Sequence, residues 1–169
     1  MMTLGELNAL PVEKFVALLG AVFEHSPWVA ERAAEARPFC SRAELLNAMR
    51  SVVQRASADE QLALIRAHPQ LGARGRSPGQ LTEASAKEQR RAGLDACTDE
   101  EFSRLMRLNS VYVEKFSFPF ILAVRGHTPE SILGALQSRL DNDAESERLA
   151  ALDQIGLIGG YRLEDIVAS

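Results

Sequence analysis

The chain has 169 residues, 46% of them hydrophobic and 25% charged, with a net charge of −4 and a pI near 5.5. That length and apolar content fit one globular domain over 1–169 with a real core; two domains would strain it. Lys and Arg are scattered, without a basic stripe, which argues against partners held by phosphate charge and so against nucleic acid.

Helical periodicity dominates the chain. Phe15, Leu18, Leu19, Val22 and Phe23 recur at three- and four-residue spacing, and "SPWVAERAAEA" offers Ser26 as N-cap with Pro27 at the first helical position. Three local signatures, "SRAE" from Ser41, "SADE" from Ser57 and "TDEE" from Thr98, read as capping boxes, each opening a helix. The helix from Ser57 must end at His68, because the residue before Pro69 is steered out of the helical region. The Gly- and Pro-rich loop "GARGRSPGQ" follows. Further helices are expected over about 81–92, 98–115, 128–140 and 144–158, with a short terminal one from Leu163. No repeat, low-complexity tract or linker interrupts them.

One stretch breaks the pattern. In "KFSFPFILAVRG", Phe116, Phe118 and Phe120 alternate at period two around Pro119, which predicts extended chain near 118–124. No second convincing strand is on offer, so the N–H and C=O groups of Ile121 to Val124 need side chains, water or a ligand. That requirement points to a binding site lined by main chain.

Several polar residues invite two readings each. Leu81, Ala84, Ser85, Glu88 and Ala92 share one helical face, so Glu88 is either a solvated residue at the rim of an apolar stripe or a carboxylate with a task. His68 either caps the last helical carbonyls or acts as a functional imidazole, since a helix C-terminus favours both. "GARGRSPG" lacks the glycine and lysine order of a phosphate cradle and reads as a solvated loop before an anion site. His25 and His127 read as helix-start and turn residues, and the histidines show no metal-ligand spacing. Cys40 and Cys97, lacking any CxxC, read as small core residues of a chain kept in a reducing compartment. Glu6, Glu13 and Glu24 interrupt the first thirty residues as no signal peptide would, and no run approaches the roughly 18 apolar residues of a membrane span. The expected location is the cytoplasm.

Four motifs in order carry a resemblance: "FEHSPWVAERAAEARPF" (23–39), "AHPQLG" (67–72), "LTEASAKEQRRAGL" (81–94) and "LNSVYVEKFSFPFILAVRG" (108–126). Together they resemble 2-oxo-4-hydroxy-4-carboxy-5-ureidoimidazoline (OHCU) decarboxylase, a family of uric acid degradation. The likeness runs from "LNALP" near the start to "GGYRLEDIV" near the end. It implies a compact all-α fold, a homodimer, and decarboxylation of a small ureidoimidazoline carboxylate to (S)-allantoin with no cofactor and no metal. It also raises a transthyretin-like hydroxyisourate hydrolase as pathway partner. Carried over residue by residue, the resemblance makes His68 the catalytic histidine and Pro69 the pocket wall beside it. Ser85, Glu88 and Gln89 take the places of the family's serine and Glu-Gln pair, with Glu88 counted as catalytic. The substrate-lining main chain falls on Phe120, Ile121, Leu122, Ala123 and Val124, and the basic residue of the last motif on Arg162. Two positions depart from the pattern: Gln70 stands where the family commonly has Asp, and Ser117 where it commonly has Gly.

On that reading His68 is the general acid/base, and Glu88 either fixes the imidazole tautomer or holds the ureido N–H groups. Arg162 clamps the carboxylate or a ring carbonyl. The rival reading is a non-catalytic helical ligand-binding or regulatory module that retains the same pocket.

Overall fold

The computed structural model describes residues 1–72 and 81–169. The loop read at "GARGRSPGQ" therefore lies, apart from Gly72, outside the described residues. In chain order the helices are α1 (Leu4–Ala9), α2 (Val12–Leu19), α3 (Trp28–Ala33), α4 (Arg42–Arg55), α5 (Ala58–Ala67), α6 (Glu83–Arg91), α7 (Asp99–Phe116), α8 (Pro129–Arg139) and α9 (Ala144–Ile166), with a 3-10 turn at Ala34–Ala36. No strand occurs among the described residues beyond a lone Met2–Val167 bridge, so the fold is all-α as expected. None of these helices is long and apolar enough to cross a membrane. Contacts divide the chain into two compact units, Met1–Ala67 with Ile155–Ser169, and His68–Gln154.

The first unit is built on short amphipathic helices. Leu7, Phe15, Leu19, Leu45, Met49, Leu64 and Ile65 are fully buried, each contributing roughly 1.5–3 kcal/mol of burial. The capping boxes come out unevenly. At Ser57 both reciprocal bonds form, Glu60 N–H to Ser57 Oγ at 3.2 Å and Ser57 N–H to Glu60 Oε2 at 3.0 Å. At Ser41 the hydroxyl accepts from Glu44 N–H, but the Glu44 carboxylate reaches past it to the N–H of Cys40. Ser26 does not cap at all. Its hydroxyl donates to the Glu24 carbonyl at 2.9 Å, and Pro27, already helical in its dihedral angles, precedes α3 without a side-chain cap.

Three other expectations are corrected in this unit. α2 stops before Gly20, so Val22 and Phe23 are buried from a turn instead of from the helix. Cys40 is exposed while Cys97, in the second unit, is buried, and neither is in a disulfide. The expected pair of C-terminal helices is one helix, α9, running unbroken through Gly159-Gly160. Those glycines are packing residues: a Cβ at Gly159 would lie 3.1 Å from the Phe23 ring, and one at Gly160 3.1 Å from Leu46 Cδ2. Glycine lowers helix propensity by about 1 kcal/mol, and close approach of the helix backbone is what offsets it here.

The second unit centres on Tyr112 of α7. Its ring lies 4.6 Å from that of Phe116, 6.0 Å from Phe118 and 5.4 Å from Phe120, the last two edge-on. α8 adds Ile132, Leu133 and Leu136. Thr98 forms a full capping box with Glu101 and starts α7 where the sequence signature placed it. Between α7 and α8 the chain over 118–124 is neither helix nor strand, as the alternating phenylalanines indicated.

Candidate functional site

α5 ends at Ala67, and His68 follows in a turn, held out of the helix by Pro69. The His68 side chain is buried, 7% exposed. The next three residues are pinned from α6 and α7 by two side-chain amides. Gly72 N–H donates to Gln89 Oε1 at 2.9 Å, Gln89 Nε2 donates to the Gln70 carbonyl at 3.4 Å, and Asn109 Nδ2 donates to the Leu71 carbonyl at 3.1 Å. An N–H can only donate and a carbonyl can only accept, so these partners fix which way each amide points. Gly72 takes a left-handed φ of 75°, and a Cβ there would come within 2.5 Å of Leu105 Cδ2.

α6 opens with Thr82, whose hydroxyl accepts from Ser85 N–H. Its buried face carries Ser85, Gln89 and Ala92, with Glu88 half-buried at the edge. The stripe expected through Leu81, Ala84 and Glu88 is thus rotated: Ser85 and Ala92 do face inward, but Gln89 is the buried polar partner and Leu81, Ala84 and Glu88 lie at its margin.

Phe120, Ile121, Leu122, Ala123 and Val124 are all buried. Their main chain is partly satisfied without a sheet. Ala123 N–H donates to Gln154 Oε1 at 2.9 Å, the Val124 carbonyl accepts from His127 N–H at 3.0 Å, and the Ile121 carbonyl accepts from Arg139 Nη1. Among the described residues, the N–H groups of Ile121, Leu122 and Val124 and the carbonyls of Leu122 and Ala123 take no protein hydrogen bond. A buried stretch with that many open donors and acceptors is uncommon in a folded chain.

Arg139 grips this segment twice, since its guanidinium also lies 4.6 Å over the Phe120 ring. It is held in turn by Glu147, which is fully buried and accepts from Arg139 Nε and Nη2 at 2.9–3.1 Å, from Asn142 Nδ2 at 2.9 Å and from the Tyr112 hydroxyl. Burial pushes the Glu147 carboxyl up, but the bonds from Arg139, Tyr112 and Asn142 outweigh it and hold the group below its ordinary value. Burial, then the bond to Glu147, pushes the Tyr112 phenol above its usual range.

Arg162 belongs to the first unit. Its Nη1 donates to Glu24 Oε2 at 2.8 Å and more weakly to the Ala21 and Val22 carbonyls, both at 3.4 Å, with both partners of the ion pair buried. Glu24 precedes His25, whose left-handed φ of 48° turns the chain between them and Ser26. Among the described residues, no three of His, Cys, Asp and Glu converge as metal ligands would.

Residues 8–164 match the sequence profile of the family described as OHCU decarboxylase. The chain belongs to the OHCU decarboxylase family. It is 42% identical over 168 residues to the 2-oxo-4-hydroxy-4-carboxy-5-ureidoimidazoline decarboxylase of Haloferax volcanii, covering 99% of this chain and 98% of that one. It is 43% identical over 166 residues to the uric acid degradation bifunctional protein of Bacillus sp., of which it spans 32%. Among solved structures, that of an (S)-allantoin synthase superposes with a TM-score of 0.80 at 30% identity, over 98% of this chain and 54% of that chain.

Within the OHCU decarboxylase family match, the second unit contains His68, Pro69, Ser85, Glu88, Gln89 and the Phe120 to Val124 segment, and the first contains Arg162. Sequence reasoning passed over Arg139, Glu147 and Asn109. Asn109 and Tyr112 stand one helical turn apart in "LNSVYVEKF", a polar pair on an apolar stripe that could have been noticed. Arg139 and Glu147 are split by a turn and gave no such signal.

Proposed function

We propose that the chain decarboxylates 2-oxo-4-hydroxy-4-carboxy-5-ureidoimidazoline to (S)-allantoin, with His68 as the general acid/base. The observation that carries the proposal is the buried Phe120 to Val124 main chain, whose open N–H and C=O groups suit the amide-like edges of a ureidoimidazoline. The family match and the relatives that bear this activity's name support it.

The chemistry asks little of the protein beyond proton transfer. Cleavage of the bond to the carboxylate releases CO2, and the electron pair moves toward the adjacent ring imine, giving an enol-like intermediate with that nitrogen protonated. The hydroxyl then loses its proton, becoming the ring carbonyl, while the neighbouring carbon gains one on a single face. The substrate supplies its own electron sink, so the reaction needs no pyridoxal or thiamine. An imidazole titrating near neutrality suits the proton traffic, with a gain of roughly 10²–10⁴-fold. Burial of His68 keeps it from bulk water and lets one face be chosen. Glu88, half-buried on α6, serves either as its orienting partner or as acceptor for the ureido N–H groups. Ser85 and Gln89 contribute polar atoms from the buried face of α6, Pro69 shapes the wall, and Arg162 binds the substrate's anionic or carbonyl oxygen.

The reading extends to a cytoplasmic homodimer. A relative in which the matched region forms part of a longer uric acid degradation protein supports a neighbouring enzyme of that route, such as a hydroxyisourate hydrolase, as pathway partner. The deciding experiment is turnover of freshly made substrate followed by circular dichroism, with wild type and His68→Ala side by side. The expected result is an excess of (S)-allantoin from wild type and racemic product at the uncatalysed rate from His68→Ala. Racemic product from the folded wild-type chain would leave a ligand-binding module in place of an enzyme.

A further inference from the structure

Asn109 is 2% exposed, and its amide does half of what a buried amide should. Nδ2 is spent on the Leu71 carbonyl, while Oδ1 is buried without a hydrogen-bond partner among the described residues. Rotating the amide would not help, because it would set Oδ1 against a carbonyl oxygen. A buried acceptor without a donor costs at least as much as one neutral hydrogen bond returns, so fold stability gives little reason for an asparagine here. What the residue does achieve is geometric. Gln89 holds the Gln70 carbonyl and the Gly72 N–H, and Asn109 holds the carbonyl between them. The three residues after the His68-Pro69 step are thereby fixed one by one, and proline restricts the backbone that joins them to the imidazole.

We infer that Asn109 is a positioning residue for the decarboxylation: through the Leu71 carbonyl it locks the turn that sets where the His68 imidazole meets the substrate. The inference rests on the proposed role of His68. Misplacing a reacting group by about 1 Å can cost on the order of 10²-fold, even when substrate binding survives.

The test uses two variants of the full chain beside His68→Ala. Asn109→Leu keeps the bulk and removes the donor. In protein shown to be folded by circular dichroism, kcat should fall about tenfold or more with KM changed by less than about threefold, and the enantiomeric excess of allantoin should drop. Asn109→Asp supplies the stricter arm. A buried carboxyl can donate to Leu71 only when protonated, so the ratio of its kcat to that of wild type should climb as pH is lowered from about 8 to 5, a recovery that a merely stabilising residue would not show. Wild-type kcat and handedness in folded Asn109→Leu would overturn the inference, as would a pH-independent ratio in Asn109→Asp. If Asn109→Leu does not fold, the ratio decides alone. Full activity in His68→Ala would retire the reading of His68 and this inference with it; loss there beside an unaffected Asn109→Leu retires this inference only.

Discussion

Two stretches of the second unit are fastened by side chains of opposite character. The turn after His68 is held by neutral amides, Gln89 and Asn109, each bonded to main chain. The stretch after Phe118 is held by a charged clamp, Arg139 braced on Glu147, which accepts in turn from Tyr112 and Asn142. The difference has physical consequences. A neutral pin is worth about 1 kcal/mol and ignores pH, while a buried ion pair is nearly neutral when intact and costly when one partner is lost. The chain thus supports its proposed proton-transfer residue with groups whose charge does not change across the working range. It reserves the charged network for a buried backbone segment held outside helix and sheet.

The clamp should give the largest effect. Arg139→Met leaves the fully buried Glu147 without its counter-ion and should cost about 3–5 kcal/mol, read from urea midpoints. The triple variant Tyr112→Phe, Arg139→Met, Glu147→Leu removes the charges together and should recover most of that stability, yet bind substrate more weakly because the Ile121 carbonyl has lost its donor. A triple variant with wild-type KM would reduce the clamp to a stability device. Acid separates the two regions further. The Glu147 carboxyl is held below its ordinary value in the folded state by its bonds from Arg139, Tyr112 and Asn142, so its contribution is present above the unfolded value and lost as pH falls through the lower folded one. Stability measured from pH 7 to 3 should therefore drop less steeply below about 4.5 in the triple variant than in wild type.

Each stretch also passes through a left-handed residue, Gly72 on one side and Ser117 on the other, at φ 75° and 61°. Gly72→Ala combines a backbone penalty of about 1–2 kcal/mol with a Cβ that meets Leu105, which together should cost about 2–4 kcal/mol. A melting temperature within error of wild type would mean that the neutral pins tolerate a displaced turn.

Much of this organisation was readable beforehand because it is local. A proline ends a helix wherever it stands, and the boxes at Ser57 and Thr98 close within four residues. The break in the helical pattern between α7 and α8 declared itself by the phenylalanine period and by Pro119. What failed depended on tertiary contacts. Gly159-Gly160 looked like a helix break until Phe23 and Leu46 supplied the reason for having no side chain there. On α6 the buried face was misjudged by one residue, because a step of 100° separates Glu88 from Gln89 and a short polar helix has too few apolar residues to fix its centre. The hydrogen-bond partners of Arg139 lie eight and 18 residues away, beyond any spacing rule.

Glu88 sharpens the comparison, for it is the carboxylate beside the neutral pin Gln89. If it orients His68 or binds substrate, Glu88→Gln should lower kcat at least about tenfold, equivalent to about 1.4 kcal/mol in the barrier, with stability level or slightly raised. An unchanged rate with a stability change within about 0.5 kcal/mol would make it a rim residue and leave the His68 region supported by neutral groups alone.

The smallest effect is expected at Ser117, which ends α7 in the left-handed region with ψ 23° while its N–H donates to the Val113 carbonyl at 2.8 Å. The Cβ is what makes this conformation costly, and the side chain is exposed. Glycine removes the penalty but adds freedom to the unfolded chain, so Ser117→Gly should stabilise by only about 0.5–1 kcal/mol. Its value lies in what happens to KM. Ser117 leads into the segment from one side and Arg139 grips it from the other. If the clamp places Ile121 to Val124, relaxing the turn raises the melting temperature and leaves KM where it was. A KM that moves several-fold in a more stable protein would instead show that the strained turn shares in placing the main chain, and the division between charged clamp and passive linker would have to be redrawn.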